Sequence, residues 1–243
     1  MRRHRFLAPV VMTAVWLFAG FVLTGEPLAV ADKGTFIEMK LSRGGRFEFE
    51  DYRLRSGYMQ IILKKAPGGG RAAPILQIVD FSRRFELTGK DMKVSGNSGD
   101  YDMQNFTFTG PVDFLFGGVT GTSLGLLYNV QDGDAQLTDC AMKDTGSGSS
   151  LSASSVHFNL RENRLNATGS VTFQNATVDL KSSTLLFDRG KNRLTAGLYR
   201  VTIAGVGTLE GDSLDYDLTA GTAVLNGKLN ATLTPPGQAA TAP

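Results

Sequence analysis

From residue 32 onward the chain alternates apolar and polar residues in short runs, each closed by Gly, Asn or Asp. Clear cases are Val156-His157-Phe158-Asn159-Leu160, Val171-Thr172-Phe173, Val201-Thr202-Ile203, Leu214-Asp215-Tyr216-Asp217-Leu218 and Leu229-Asn230-Ala231-Thr232-Leu233. A period of two places every apolar side chain of a run on one face, the signature of a half-buried strand. A helical period of 3.6 is hardly seen. The pattern predicts an all-β, antiparallel chain whose strands each bury one side.

The runs also repeat. An aromatic residue followed by Asp or Asn recurs as Tyr101-Asp102, Tyr128-Asn129, Phe158-Asn159, Phe187-Asp188 and Tyr216-Asp217, with steps of 27, 30, 29 and 29 residues. Leu151, Leu180 and Leu209 each stand seven residues before their aromatic, and Gly110, Gly169, Gly197 and Gly227 follow nine to eleven residues after theirs. Asp and Asn side chains hydrogen-bond the backbone just ahead of them and so start turns. Each unit of about 29 residues is therefore expected to be a strand, a turn and a returning strand. Such hairpins are stable only when stacked on a shared core.

The first residues follow another pattern. Arg2, Arg3, His4 and Arg5 precede an uncharged, mostly apolar run from Phe6 to Leu23. A basic start before an apolar run is an export signal. The run predicts an N-terminal apolar helix that acts as a signal anchor. Ala29-Val30-Ala31 also fits the small-x-small pattern of a cleavable signal peptide cut after Ala31. The expected organisation is thus 1–31 signal, 32–233 one β domain and 234–243 a tail, beginning at Thr234-Pro235-Pro236-Gly237. Pro67-Gly68-Gly69-Gly70-Arg71 and Thr145-Gly146-Ser147-Gly148-Ser149-Ser150 read as loops.

Composition narrows the chemistry. One cysteine, Cys140, leaves no internal disulfide and no cysteine-based metal cluster, and two histidines, His4 and His157, give His-dependent chemistry little to work with. From Asp32 on, 22 basic and 22 acidic residues balance, but 32–93 carries 13 against 8 and 94–243 carries 9 against 14. That profile speaks against a general nucleic-acid binder. No Walker A or dinucleotide fingerprint occurs, and no cofactor is expected.

Residues 85–233 resemble, in period and spacing, the LptC and LptA/OstA superfamily of periplasmic lipopolysaccharide-transport proteins. The resemblance is carried by LSASSVHFNLRENRLNATGSVTF (151–173), LLFDRGKNRLTAGLYRVTI (185–203) and GVGTLEGDSLDYDLTAGTAVLNGKL (205–229). It implies an elongated antiparallel β-jellyroll of two sheets folded into a V. It further implies lipopolysaccharide as ligand, with acyl chains between the sheets. The implied partners are an inner-membrane ABC transporter complex and a downstream OstA-like periplasmic protein. The implied location is the inner membrane, single-pass with a periplasmic domain; a soluble periplasmic relay protein after cleavage is the alternative.

On that view Tyr128, Phe158, Val171, Phe173, Phe187, Val201, Ile203 and Tyr216 are the candidate lipid lining, although alternating apolar residues also simply fill cores. Arg83, Arg84, Lys90 and Lys93 are candidate contacts to head-group phosphates. The last strand, Lys228, Leu229, Asn230, Ala231, Thr232 and Leu233, is the candidate docking edge for a downstream partner, and the segment Phe36–Phe49 the candidate edge for a membrane partner. A structural envelope protein of stacked β-repeats without lipid binding fits the same pattern.

Enzymatic readings are weaker. Gly121-Thr122-Ser123-Leu124-Gly125 has the Gly-x-Ser-x-Gly form of a nucleophile elbow, but strands flank it and His157 sits on an alternating strand. Asp132 with Asp134, and Asp212 with Asp215 and Asp217, lack the spacing of a calcium loop. The sequons at Asn105, Asn166, Asn175 and Asn230 read as turn and strand composition. No catalytic or metal residue is expected.

Overall fold

Alternation becomes strand wherever the chain is described: residues 14–18, 21–25, 29–65 and 74–233 in a computed structural model. Every ladder among them is antiparallel, and no helix occurs among the described residues. The chain divides into two units, 1–90 and 91–243.

The first unit holds β1 (Ala14–Phe18), β2 (Phe21–Gly25), β3 (Ala29–Asp32), β4 (Phe36–Leu41), β5 (Gly45–Phe49), β6 (Tyr52–Lys64) and β7 (Ile75–Gly89). The long strand β6 pairs with β7 along one side; on the other, its first half takes β5 and its second half β4. β2 then adds to β5 and β3 to β4. Two expectations change here. The expected N-terminal helix is not shown: residues 14–18 and 21–25 are strands, β1 pairing with β2 and β2 with β5. Residues 1–13 and 19–20 of that run lie outside the described residues. Likewise 36–49 is no free edge: Arg43-Gly44 breaks it into β4 and β5, and both are paired on both sides.

The second unit is a meander of β8 (Met92–Tyr101), β9 (Asn105–Phe116), β10 (Val119–Asn129), β11 (Asp134–Asp144), β12 (Ser150–Asn159), β13 (Arg164–Gln174), β14 (Val178–Asp188), β15 (Arg193–Ile203), β16 (Gly207–Asp217) and β17 (Thr222–Leu233). Each strand pairs with the next. All five aromatic-Asp/Asn pairs sit at one set of turns. Asp102 Oδ1 accepts the Asn105 N–H at 2.7 Å, Asn129 Oδ1 that of Asp132 at 2.9 Å, Asn159 Oδ1 that of Glu162 at 2.7 Å, Asp188 Oδ1 that of Lys191 at 3.1 Å and Asp217 Oδ1 that of Ala220 at 2.8 Å. The aromatic before each is buried.

These strands are folded in the middle. In β12 the buried residues are Leu151 and Ala153, then Val156 and Phe158; in β14 they are Val178, Leu180 and Ser182, then Leu185 and Phe187. The inward set shifts by one residue at the centre, as a β-bulge would shift it. Phe173 lies opposite Leu180, seven residues and so roughly 23 Å of extended strand from Phe187. Yet the two rings are 5.7 Å apart. Phe116 and Tyr128 meet at 6.1 Å in the same way. The two halves of each strand therefore lie over one another, with the apolar face between them and the two rows of turns along one side.

Buried serines hold the fold lines. Ser123 Oγ lies 2.6 Å from the Gly125 carbonyl oxygen and 2.7 Å from that of Thr138, and it accepts the Thr138 N–H at 3.1 Å. Ser56 repeats this on Tyr58 and Ser82, and Ser182 on Thr184 and Gly197. Facing strands carry a left-handed residue at the same level: Gly110, Asp139, Ser170, Leu198 and Gly227.

Candidate functional site

The candidate lining residues point into the space between the two layers of the second unit. Tyr128, Phe158, Val171, Phe173, Phe187, Val201 and Tyr216 are all buried, whereas Ile203, at the end of β15, is half-exposed. Within the set, Phe173 and Phe187 are in ring contact. The packing leaves a small cavity of about 30 Å³ among Val119, Met142, Leu151, Leu165, Phe173 and Phe187. Of the expected set only Phe173 and Phe187 reach it.

The mouth of this cavity carries Asp144 and Arg189, which sequence reasoning did not select. Arg189 begins the turn after β14, and its guanidinium reaches across to Asp144 Oδ2, with Nη2 at 2.5 Å and Nε at 3.0 Å. Nη1 donates to Asn163 Oδ1 at 2.6 Å, and the guanidinium carbon stands 5.9 Å from the centre of the Phe158 ring. Asp144 Oδ1 meanwhile accepts the Gly146 N–H at 2.8 Å and the Ser147 N–H at 3.1 Å, shaping the 145–149 loop. Partial burial pushes the Asp144 carboxyl up, but the Ser147 N–H, the Arg189 guanidinium and the Gly146 N–H outweigh it and hold it below the ordinary 3.8.

The basic candidates are not gathered. Arg83 and Arg84 sit at the centre of β7 with left-handed backbone, Arg83 over the Tyr58 ring at 5.6 Å. Lys90 lies six residues beyond Arg84, roughly 20 Å of extended strand, on a groove lined also by Glu48, Glu50 and Asp51. Those carboxylates would repel a phosphate. Lys93 is exposed on β8.

Lys228 to Leu233 lie in β17, which pairs with β16 and buries no residue; Val224, Leu229 and Leu233 expose about half or more of their surface.

The remaining motifs have local partners. Ser123 is 3 % exposed and its hydroxyl is spent on the fold line, with strands on both sides of Gly121–Gly125. A side chain at Gly121 would meet the Ala141 carbonyl oxygen and the Phe114 ring, a packing reason for that glycine. Asp212 accepts the Lys228 N–H at 2.9 Å, Asp215 pairs with Arg193 and Asp217 caps its turn. His157 Nε2 stands 3.4 Å from Asp134. No group of three or more His, Cys, Asp or Glu placed to hold a metal occurs among the described residues. Cys140 is buried, which pushes its thiol up to about 12.

One signal in the sequence does mark Arg189. The residue after each aromatic-Asp/Asn pair is Met103, Val130, Leu160, Arg189 and Leu218: apolar in four units and a cation in one.

No known protein-family profile matches the chain, and no curated protein matches it.

Proposed function

We propose that this chain is a non-enzymatic lipopolysaccharide-transport component of the LptC kind, an antiparallel jellyroll of V-shaped section that holds acyl chains between its layers. One observation carries the reading: the apolar face of the second unit is folded onto itself, and its packing leaves a small apolar gap at the row of turns, among Leu165, Phe173 and Phe187, where the two layers could part around a chain. Each CH2 moved there from water contributes roughly 0.8 kcal/mol. The exposed strand β17 supports docking to a downstream OstA-like periplasmic protein by edge pairing, since a terminal strand leaves backbone groups for a partner to complete. The basic start and apolar run are the ground for a single-pass anchor in the inner membrane, beside the ABC transporter complex that would supply the energy; that reading requires 14–25 to exchange the ladder on β5 for the bilayer. A soluble OstA-like relay protein is the second reading, favoured by Ala29-Val30-Ala31 before Asp32.

The test is photo-crosslinking in cells with a photoreactive residue at Phe187 or Phe173, and at the outward, 48 % exposed Leu186 as control. Ultraviolet-dependent lipopolysaccharide adducts at the two inward positions and none at Leu186 are the expected result. Normal expression with no adduct at either inward position leaves a structural envelope protein.

A further inference from the structure

We propose that Arg189 and Asp144 form a latch across the open side of the second unit, and that Arg189 receives the anionic head of the acyl chain whose entry unlatches it. This deepens, and rests on, the reading of the cavity as a lipid site.

The two rows of turns border that open side. Asn163 and Arg189 belong to the row started by the aromatic-Asp/Asn pairs; Gly117 and Asp144 belong to the other. Arg189 touches all three: Asn163 Oδ1, Asp144 Oδ2 and, at 3.5 Å, the Gly117 carbonyl oxygen. It thus ties the rows together directly above Leu165, Phe173 and Phe187. Along its own row the other four equivalent positions are apolar, which suits a slit that borders an acyl chain. The single cation stands at the mouth of the cavity, with side chains of Arg189 and Asp144 only 15 % and 17 % exposed.

A planar guanidinium binds a carboxylate or a phosphate with two parallel hydrogen bonds. Asp144 now holds that fork. An amphiphile bearing either anion offers the same acceptors, and its chain widens the small gap beneath by parting Leu165, Phe173 and Phe187, so the exchange of anions costs little electrostatically and the chain gains apolar burial. Asp144 retains its bonds to Gly146 and Ser147 through Oδ1 when Arg189 leaves.

Asp144→Asn separates these duties: Oδ1 still shapes the loop, while the amide NH2 no longer attracts the guanidinium. The full chain is titrated with cis-parinaric acid and its uncharged methyl ester, in the wild type, Asp144→Asn and Arg189→Gln. Lysophosphatidic acid and a fatty acid then compete, separating a phosphate source from a carboxylate one. Expected are an acid bound roughly tenfold tighter and faster by Asp144→Asn, and loss of the acid-over-ester preference in Arg189→Gln, the size of one charge-assisted hydrogen bond. Circular dichroism checks that each variant folds, and Arg189→Lys, which keeps the charge without the fork, should keep only part of the preference. If the ester binds but Arg189→Gln keeps the full acid preference, or Asp144→Asn binds the acid no faster, the latch is overturned and the lipid reading stands. If no protein binds either probe, both fall together.

Discussion

At the scale of residues, the fold lines rest on hydroxyls that the alternation does not announce. Ser56, Ser123 and Ser182 are buried polar groups, and each bridges its own strand to the next. Removing one hydroxyl strands a buried carbonyl, which typically costs about 1–3 kcal/mol. Ser182→Ala should therefore lower the denaturation free energy by about that amount, whereas Ser155→Ala, on the exposed face of β12, should change it by less than about 0.5 kcal/mol. Equal midpoints for the two in urea would refute the role. Cys140 gives a second check. With its thiol buried and raised to about 12, it should react with a thiol reagent only as the protein opens, so labelling should follow unfolding; fast labelling of the native chain would contradict its placement. The turn residues were legible because an Asp or Asn side chain acts on backbone two or three positions away. The fold-line serines were not, because Ser123 is buried by strands that lie outside its own stretch. Arg189 was legible only as a break in the repeat.

At the scale of elements, the strands of the second unit follow directly from alternation and spacing, and all ten lie where apolar and polar residues take turns. What alternation does not encode is neighbours. The segment 36–49 reads as a terminal strand until β2 and β3, drawn from residues that read as an export signal, cover it; Leu23 of β2 is fully buried. At the other end, β17 pairs with β16. Lysine on an edge strand discourages pairing with another chain. The double substitution Leu229→Lys, Leu233→Lys removes two exposed apolar side chains, so thermal stability should hold within about 0.5 kcal/mol. Crosslinking of a photoreactive residue at Asn230 to a second protein should meanwhile disappear. Unchanged crosslinking would exclude β17 as a docking edge. Gly207→Ala probes the same ladder from inside: at φ +131° its side chain would press on the Thr232 carbonyl, and β17 should detach from β16.

For the whole molecule, the balanced charge from Asp32 onward conceals an ordered use of carboxylates. At Asp102, Asp144 and Asp188 desolvation pushes the acid up, but backbone N–H groups of the turns outweigh it and the net shift is downward; the partners of the latter two include Arg189 and Arg164. Asp215 is lowered first by its hydrogen bond from Arg193. Asp80 runs the other way, raised by burial. A carboxyl lowered on folding contributes stability that is complete above its unfolded value and is lost as the pH falls through its folded one. Asp80 acts with opposite sign and gains on acidification, but it stands against these four and against Asp32, Glu38 and Glu48, which hydrogen bonds from Lys65, Lys40 and Arg53 also lower. The melting temperature should therefore be level from pH 7 to 5 and fall once the pH drops below about 4, through the ordinary aspartate value and lower. Because Asp102, Asp144 and Asp188 start turns and Asp144 joins the two rows across the open side, the loss is one of turn geometry more than of core burial. Asp144→Asn should melt somewhat lower at pH 7 and lose less between pH 4 and 2.5, since one of the titrating groups is gone. A melting temperature that rises from pH 4 to pH 3, or an Asp144→Asn curve parallel to the wild type throughout, would show that these ion pairs and turn bonds do not couple to folding.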